Sequence, residues 1–299
     1  MKHRHLGDIA SIGIDNLTHV LELSVSSHTV DAQPLAGDGV ALIFEKPSNR
    51  TRHSMEMAVF QLGGHPIYTR GEEVGLDVRE TVEDVTRIMA GYHGVLAARV
   101  FSHNVIQRMM DCDVVPVINM LSDLHHPLQA LADIITMQEH CGDISSLTVC
   151  WLGDYNNVAR SLAEAVLMLG GTMSLGCPTG FDADDFELAR LAELGGHIRQ
   201  HTDPLVAVGG ADVVHTDTWI SMGQEDESEQ RRKIFAKYCV TADVMSHASP
   251  TAKFMHCMPA HRGEEVTAEV FDGSSSLVIQ QGHHRLTAAR GALAWARGM

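Results

Sequence analysis

With 299 residues, the chain is long enough for two domains of ordinary size, each with its own hydrophobic core. The 44% hydrophobic and 20% charged fractions are typical of a globular protein. The sequence contains no run of about 20 apolar residues, the length needed to span a bilayer. The formal net charge of -16 argues against nonspecific nucleic-acid binding, which requires a basic surface. Residues 1–8 are too few and too polar for a signal peptide. We therefore expect a cytoplasmic protein with no nucleic-acid or membrane partner.

Short apolar runs alternate with amphipathic ones along the chain, and this alternation predicts βαβ units around parallel sheets. Residues 40–44 form the first predicted strand. They are followed by apolar residues at helical spacing and by a glycine stop at 63–64, and the apolar positions are Met55, Ala58, Val59 and Leu62. A strand, a loop and a helix are therefore expected over 40–62.

The second half repeats this arrangement from residue 147 onward. A predicted strand at 147–153 leads to a helix with a glycine stop at 170–171, and its apolar face is formed by Val158, Leu162, Val166 and Leu169. Later strands are predicted at 211–215, 254–257 and 277–279. The fold class is therefore α/β, with two domains, each a mainly parallel sheet flanked by helices. The predicted boundary lies in the helix after Pro127 and gives domains 1–139 and 140–283, with a C-terminal helix, 284–299, that returns to the first domain.

A basic segment lies between the first strand and its helix. Its guanidinium groups, hydroxyls and backbone N–H groups at a helix N-terminus suit a phosphate, and its residues are Ser48, Asn49, Arg50, Thr51 and Arg52. A solvated basic N-cap is the alternative. Cations in a first helical turn oppose the helix dipole, so their placement favours an anionic partner.

Two further features of the first half carry candidate chemistry. His126 and Gln129 share one helix face with Asp133 and can jointly donate to a carbonyl oxygen, although a capping histidine is the plain alternative. Arg99 lies in an apolar run, and a partly buried guanidinium needs either a carboxylate or a substrate as its partner.

Candidate residues in the second half follow predicted strands, where parallel sheets present ligand contacts. Asn157 precedes a helix and is also an ordinary capping residue, whereas Asp217 offers a carboxylate to an amino group. Cys257 lies at a strand end before a proline turn, and without a base at a recognisable spacing it is not expected to be a covalent nucleophile. Arg285 is expected at the start of the last helix.

Cysteine and histidine spacing does not indicate a metal site. The six cysteines include no C-x-x-C pair, so reduced thiols are expected. The chain has 19 histidines, but the pairs at 125–126 and 283–284 lack the spacing of H-E-x-x-H. Neither a metal nor an organic cofactor is predicted.

Taken together and in this order, the motifs closely resemble those of the ornithine carbamoyltransferases over nearly the whole chain. The S-x-R-T-R and H-P-x-Q elements are shared with aspartate carbamoyltransferases and specify only the carbamoyl phosphate half. The D-T-W-x-S-M-G and H-C-x-P elements, at 217–223 and 256–259, are typical of the ornithine branch. The sequence departs from the family at Asn49, Met55 and Met258, where Thr, Phe and Leu are usual.

The resemblance implies transfer of a carbamoyl group from carbamoyl phosphate to the δ-amine of L-ornithine, without a cofactor. Residues implied to hold carbamoyl phosphate are Ser48, Asn49, Arg50, Thr51, Arg52, Arg99, His126, Gln129, Cys257, Met258 and Arg285. Of these, the implied catalytic residues are Thr51, Arg99, His126, Cys257 and Arg285. Those implied to bind ornithine are Asn157, Asp217, Ser221 and Met222. The family also implies a homotrimer or a multiple of it, with a neighbour's residue expected from the loop 71–80.

Three alternatives remain beside this interpretation. The acceptor could be putrescine or a modified ornithine, or the chain could be a non-catalytic anion-binding paralogue. The paralogue would be expected to lack Arg99, His126 or Cys257, and all three are present. A plain NAD-binding protein is disfavoured because neither strand-to-helix turn carries G-x-G-x-x-G.

Overall fold

The computed structural model describes residues 2–220 and 228–299. The chain divides into two compact units, Met1–Ile135 with His284–Met299, and Thr136–His283. The two divisions fall inside helices α7 (Pro127–His140) and α14 (Val278–Ala296). In the described part of the chain, no helix combines the length and apolarity needed to cross a membrane.

The first unit contains a four-stranded parallel sheet with strand order β2-β1-β3-β4. Its strands are β1 (Gly39–Phe44), β2 (His65–Arg70), β3 (Val95–Arg99) and β4 (Val117–Leu121). Its other helices are α1 (Gly13–Val25), α2 (Ser27–Asp31), α3 (Asn49–Gln61), α4 (Gly71–Val74), α5 (Val82–Ala90) and α6 (His103–Asp111). The prediction of a strand and helix over 40–62 is confirmed.

Burial explains why these segments form a sheet. The two central strands β1 and β3 are buried almost throughout, as expected for parallel strands covered by helices on both faces. One core cluster joins Ile43 of β1 and Leu96 of β3 to Val85 of α5 and Met109 of α6. The apolar faces of the two helices therefore cover one side of the sheet.

The second unit contains a five-stranded parallel sheet with strand order β7-β6-β5-β8-β9. Its strands are β5 (Thr148–Leu152), β6 (Thr172–Gly176), β7 (His197–His201), β8 (Val213–Thr216) and β9 (Lys253–His256). Its helices are α8 (Asn157–Met168), α9 (Asp185–Ala192), α10 (Pro204–Val208), α11 (Ser228–Phe235), α12 (Ala242–Ser246) and α13 (Ala268–Phe271). The predicted fold class, two α/β domains with mainly parallel sheets, is confirmed.

Two predictions near the C-terminus are wrong. Residues 277–279 do not form a strand, because the chain makes one bridge, Phe254 to Ser276, and then enters α14 at Val278. Arg285 consequently lies about two turns inside the helix rather than at its start. An apolar run of three residues does not distinguish a strand from a helix start, and the polar segment 280–284 hides the helical period.

Each sheet has one point at which the order of its strands reverses direction. In the first unit it lies between β1 and β3, and in the second between β5 and β8. Loops that leave neighbouring strands on opposite sides of such a point open a crevice at the carboxyl ends of the strands. A ligand site is therefore expected where β1 and β3 end, at Phe44 and Arg99, in the first unit. In the second unit it is expected where β5 and β8 end, at Leu152 and Thr216.

Gly291 of α14 faces α1 so closely that it has no room for a side chain. A Cβ there would overlap Ser24 Oγ and lie 2.5 Å from the carbonyl oxygen of Val20. Alanine normally stabilises a helix by about 1 kcal/mol relative to glycine, but overpacking costs about 1–3 kcal/mol. We expect Gly291→Ala to lower the free energy of unfolding by up to about 2 kcal/mol in urea titrations.

Gly282→Ala, in the same helix, is the matched control. Its Cβ would meet Met258 Cε at 3.4 Å, so this variant should be neutral or more stable. Equal stability changes in the two variants would contradict the close α1–α14 packing.

Candidate active site

The loop after β1 forms the N-terminus of α3 around Ser48. Its Oγ accepts a hydrogen bond from the Thr51 backbone N–H at 3.4 Å and donates to Thr51 Oγ1 at 3.0 Å. Thr51 is 1% exposed. Ser48 is thus the N-cap residue, and the first N–H groups of a 13-residue helix point toward this loop.

Arg285 joins this loop to α7 within the first unit. Its guanidinium donates from Nη2 to Thr51 Oγ1 at 2.7 Å and from Nη1 to Gln129 Oε1 at 2.5 Å. Gln129 in turn donates from Nε2 to Asp133 Oδ1 at 2.8 Å, which confirms that these residues share one helix face. Because all four side chains are buried, this chain of hydrogen bonds holds a guanidinium away from bulk water.

His126 is buried close to two guanidinium groups. Burial lowers the pKa of His126 well below its ordinary value, and the positive charges of Arg285 and Arg99 lower it further. Its imidazole is therefore neutral at physiological pH. Burial and the charge of Arg99 likewise lower the pKa of Lys46. This concentration of positive charge favours an anionic ligand.

The two arginines of the basic segment have different surroundings. Arg52 donates from Nε to Glu56 Oε1 at 2.8 Å, and its guanidinium lies 4.0 Å from the Tyr68 ring centroid. Arg50 is half-buried, and its side chain makes no hydrogen bond or ion pair with residues 2–220 or 228–299. Asn49, between them and the cap, is exposed. Of the two cations, Arg50 is the one not already held by a carboxylate.

Asp217, directly after β8, is the centre of the second unit's polar cluster. Its Oδ1 accepts hydrogen bonds from the Thr218 backbone N–H and the Cys257 thiol, both at 2.8 Å. Its Oδ2 accepts one from Asn156 Nδ2 at 3.1 Å. A carboxylate has about four lone-pair positions, so with respect to residues 2–220 and 228–299 Oδ2 retains one for a further donor.

Asn156 has a role that the sequence interpretation missed. Its Oδ1 caps α8 by accepting from the N–H groups of Val158 and Ala159, while its Nδ2 reaches Asp217. Asn157 is the first residue of α8 and is half-buried. The paired asparagines were the available signal, because a capping asparagine still has its amide N–H groups to donate.

The turn that carries Cys257 is held by a buried histidine and carboxylate. His256 Nδ1 accepts from the Met258 backbone N–H at 2.8 Å, so the ring proton is on Nε2, which lies 3.2 Å from Glu265 Oε1. Met258 has a left-handed φ of 57°, which is unfavourable for a residue with a side chain. The sequence interpretation missed Glu265, since nothing in the nine-residue separation from His256 indicates contact.

This turn also contains a group of potential metal ligands. Ligand atoms of Asp217, His256 and Cys257 lie within 4.8 Å of one another. However, both ring nitrogens of His256 are engaged, by Met258 and by Glu265. The histidine therefore has no lone pair directed at an ion in this arrangement.

A second buried guanidinium fixes the loops beside Asp217. Arg231 of α11 forms an ion pair with Asp154, donates from Nε to the Trp219 carbonyl at 2.6 Å and lies over the ring of Phe181. Burial raises the pKa of Asp154, and the charge of Arg231 opposes that rise. The loops after β5 and β8 are thus tied to one arginine. Two predicted ligand residues, Ser221 and Met222, lie outside the described residues.

The predicted residues therefore form two groups, one per unit. In the first unit Thr51, Gln129 and Arg285 are hydrogen-bonded, with Arg99 and His126 within electrostatic range. In the second, Asp217 and Cys257 are in direct contact. The fold and these groups define an α/β protein with a cluster of buried cationic side chains in one unit and a carboxylate–thiol pair in the other.

Comparison with known proteins identifies the family. The aspartate/ornithine carbamoyltransferase carbamoyl-P binding domain matches residues 4–139, and the Asp/Orn binding domain of the same family matches residues 145–296. The chain belongs to the aspartate/ornithine carbamoyltransferase family.

Individual relatives agree with this assignment. An ornithine carbamoyltransferase from Hyperthermus butylicus is 48% identical over 87% of this chain and 84% of its own length. An anabolic ornithine carbamoyltransferase from Pyrococcus furiosus is 44% identical over 88% of this chain and 85% of its own. The solved structure of ornithine carbamoyltransferase from P. furiosus superposes with a TM-score of 0.93 at 40% identity, covering 98% of this chain and 96% of that one.

The buried Glu265 should make stability depend on pH in a defined direction. Burial raises the pKa of this carboxyl, but hydrogen bonds from His256 and the His261 backbone outweigh burial and leave the pKa below its ordinary value. Because the folded pKa is the lower one, the contribution to stability is present above the unfolded value of 4.5 and is lost as pH falls through the folded pKa. We expect Glu265→Gln to be about 1–3 kcal/mol less stable than wild type at pH 7.

This difference should shrink below pH 4.5, because the carboxyl then takes up a proton in the unfolded chain while it is still charged in the folded one. Urea unfolding at several pH values measures it. Glu264→Gln is the control, because Glu264 pairs with the half-exposed Arg232 and its loss should change stability little. A difference that is constant with pH would show that the charge of Glu265 is not what stabilises the turn.

Proposed function

We propose that this protein transfers the carbamoyl group of carbamoyl phosphate to the δ-amine of L-ornithine, giving L-citrulline and phosphate. The observation that carries the proposal is the buried Arg285 guanidinium, which donates to both Thr51 and Gln129 beside a neutral His126. Such fixed donors suit a ligand with one carbonyl oxygen and one phosphate. The names of the relatives, ornithine carbamoyltransferases, support the same reaction.

In this proposal the N-terminus of α3 binds the phosphate. Arg50 supplies a charge-assisted donor, and Arg52 can add the N–H groups of its terminal nitrogens, because Glu56 accepts only its Nε–H. The complete set of phosphate ligands proposed here is Ser48, Asn49, Arg50, Thr51 and Arg52. The helix dipole adds to the attraction, since its positive end faces the anion.

The carbamoyl group is assigned to the buried donors next to this cradle. Attack by a neutral amine on the carbamoyl carbon forms a C–N bond and a tetrahedral oxyanion. That oxyanion is stabilised by preorganised donors, for which the proposal names Arg99, His126, Thr51, Gln129 and Arg285. The C–O bond to phosphate then breaks, the phosphate leaves as an anion held by the cradle, and the attacking nitrogen loses a proton.

The second unit is proposed to bind the amino acid. The remaining acceptor position on Asp217 Oδ2 suits the α-ammonium of ornithine, and Asn157 is assigned to its carboxylate end. Ser221 and Met222 are assigned to the same end from the motif alone. Cys257 and the backbone carbonyl of Met258 are assigned to the reacting δ-amine, which the carbonyl can orient by accepting an N–H.

Assembly, location and metabolic direction are further parts of the proposal. The family resemblance supports a homotrimer or a multiple of it, and the sequence composition supports a cytoplasmic enzyme. The P. furiosus relative is named as anabolic, which favours arginine biosynthesis as the direction of flux. No metal or organic cofactor is needed for the proposed chemistry.

The two arginines of the basic segment should differ in their effect on catalysis. One donor to a developing anion contributes about 3 kcal/mol, so Arg50→Ala should lower kcat/KM for carbamoyl phosphate by at least about 100-fold. Arg52→Ala should lower it about tenfold, since its exposed guanidinium is screened by solvent and already paired with Glu56. Steady-state kinetics at saturating ornithine measure both values.

Near-normal kinetics for Arg50→Ala would remove Arg50 from the phosphate site. A loss for Arg52→Ala larger than that for Arg50→Ala would mean that Arg52, rather than Arg50, is the main phosphate ligand.

The choice of acceptor tests both the reaction and the role of Asp217. Ornithine, putrescine and aspartate should be compared side by side by product formation from carbamoyl phosphate. Putrescine lacks the α-ammonium and leaves Asp217 without that partner, so ornithine should be preferred by about 1000-fold or more in kcat/KM. Aspartate should give no measurable product.

In the Asp217→Ala variant the use of ornithine should collapse, while the weak putrescine rate changes much less. Asp185→Ala, which removes an exposed carboxylate of α9 outside the site, is the control and should keep the preference for ornithine. Wild-type preference for putrescine or aspartate would overturn the proposed reaction. An equal loss for ornithine and putrescine in Asp217→Ala would overturn only the assignment of Asp217.

A further inference from the structure

A cluster of one carboxylate and two imidazoles lies in the first unit, on residues to which the proposed reaction assigns no role. Ligand atoms of Asp8, His103 and His125 all lie within 4.8 Å of one another. The rings of His103 and His125 are 4.9 Å apart and tilted by 57°. Two histidines and a carboxylate form a donor set that binds zinc and related divalent transition metals.

The three residues come from separate segments that β4 brings together. Leu6 pairs with β4 through hydrogen bonds to Val117 and Asn119, which places Asp8 beside the sheet. His103 begins α6, and His125 lies in the turn after β4. Because no two of the three are close in sequence, the spacing of histidines along the chain could not reveal the cluster.

One buried side chain, Asn119, ties these segments to each other. Its Nδ2 donates to the Gly7 carbonyl at 2.8 Å and to Ser122 Oγ at 3.2 Å. Ser122 is itself linked to His125, whose carbonyl oxygen accepts from the Ser122 backbone N–H at 2.9 Å. The positions of Asp8 and His125 are therefore set by hydrogen bonds outside the cluster, as in metal sites whose ligands are held by an outer shell.

The orientation of His103 is fixed in the same way. Its Nδ1 lies 2.9 Å from Ser122 Oγ, and its backbone N–H donates to Asp123 Oδ1 at 2.7 Å. With Nδ1 in this hydrogen bond, Nε2 is the nitrogen that would coordinate an ion. This pattern, one ring nitrogen to an outer partner and the other to the metal, is common for metal-binding histidines.

We propose that Asp8, His103 and His125 bind a divalent transition metal ion, with zinc as the best match to two nitrogens and one oxygen. Ligands about 2.1 Å from a tetrahedral ion are about 3.4 Å apart, so ligand atoms within 4.8 Å of one another need to approach by at most about 1.4 Å. His125 is 7% exposed, whereas Asp8 and His103 are half-buried, and an ion can enter from their side. The bound ion would link the N-terminal segment, α6 and the turn preceding His126.

Metal binding to untagged, chelator-treated protein tests the proposal. We expect one Zn²⁺ per chain by calorimetric titration and a higher Tm in the presence of Zn²⁺, because an ion that binds only the folded state stabilises it. His103→Ala, His125→Ala and the conservative Asp8→Asn should each weaken Zn²⁺ binding at least tenfold and reduce the Tm shift. Unfolding without metal shows whether each variant folds, and Asp8→Asn keeps the test valid if the histidine variants do not.

Three controls distinguish this site from other donors. His28→Ala, which removes an exposed histidine, should retain full binding, as should His261→Ala, which disrupts the cluster of His261, Glu264 and Glu265. Cys257→Ser should also retain it, and Co²⁺ bound to the wild type should show no thiolate-to-cobalt charge-transfer band. Absence of a bound ion, full binding in Asp8→Asn, His103→Ala and His125→Ala, or a thiolate band that disappears in Cys257→Ser would overturn the proposal.

Discussion

All strands of both sheets run parallel, and this single constraint determines where chemistry can occur. Parallel strands place all their carboxyl ends at one edge, and loops diverge only where the strand order reverses. At that point in the first unit, Phe101, just after β3, donates its backbone N–H to Glu45, which follows β1. In the second unit, Asn156 follows β5 and hydrogen-bonds Asp217, which follows β8. The same topological feature thus produced two sites with opposite chemistry, one cationic and one carboxylate-based.

The cationic site concentrates positive charge in a chain whose formal net charge is -16. Arg99 and Arg285 are 8% and 7% exposed, and burial of like charges is unfavourable without an anion between them. The cost in the folded protein is limited because Arg285 donates to neutral oxygens of Thr51 and Gln129. In the proposed function, an anionic ligand at this site would reduce the repulsion between the two guanidinium groups. The net negative charge of the whole chain repels polyanions such as nucleic acids.

Sequence reasoning predicted the features that depend on local pattern. The apolar run 40–44 and the spacing of Met55, Ala58 and Val59 identified β1 and α3, whereas the structure was needed to show that Ser48 is the N-cap residue. The shared face of Gln129 and Asp133 was also correct, because helical periodicity is local. By contrast, the short run 277–279 carried no reliable period, and it proved to be the start of α14 rather than a strand.

Contacts between distant segments could not be predicted without the order of the strands. Three such contacts depend on tertiary structure: the hydrogen bond between Glu265 and His256, the ion pair of Arg231 with Asp154, and the proximity of Asp8 to His103. Asn156 and Asn157 show a subtler limit, since adjacent residues at a helix start point in different directions. Only the backbone decides that Asn156 is the residue that caps α8 and reaches Asp217.

Arg285 lies far along the chain from the loop that it completes, and this order has a consequence for biosynthesis. Thr51 and Gln129 emerge from the ribosome early, whereas Arg285 follows only after all of Thr136–His283 has been made. Domains generally fold as units during synthesis. The first unit, however, includes Arg285, which is translated almost at the end of the chain. Until then the cradle lacks its central cation. A growing polypeptide therefore lacks the hydrogen bonds from Arg285 to Thr51 and Gln129 until Thr136–His283 has been made.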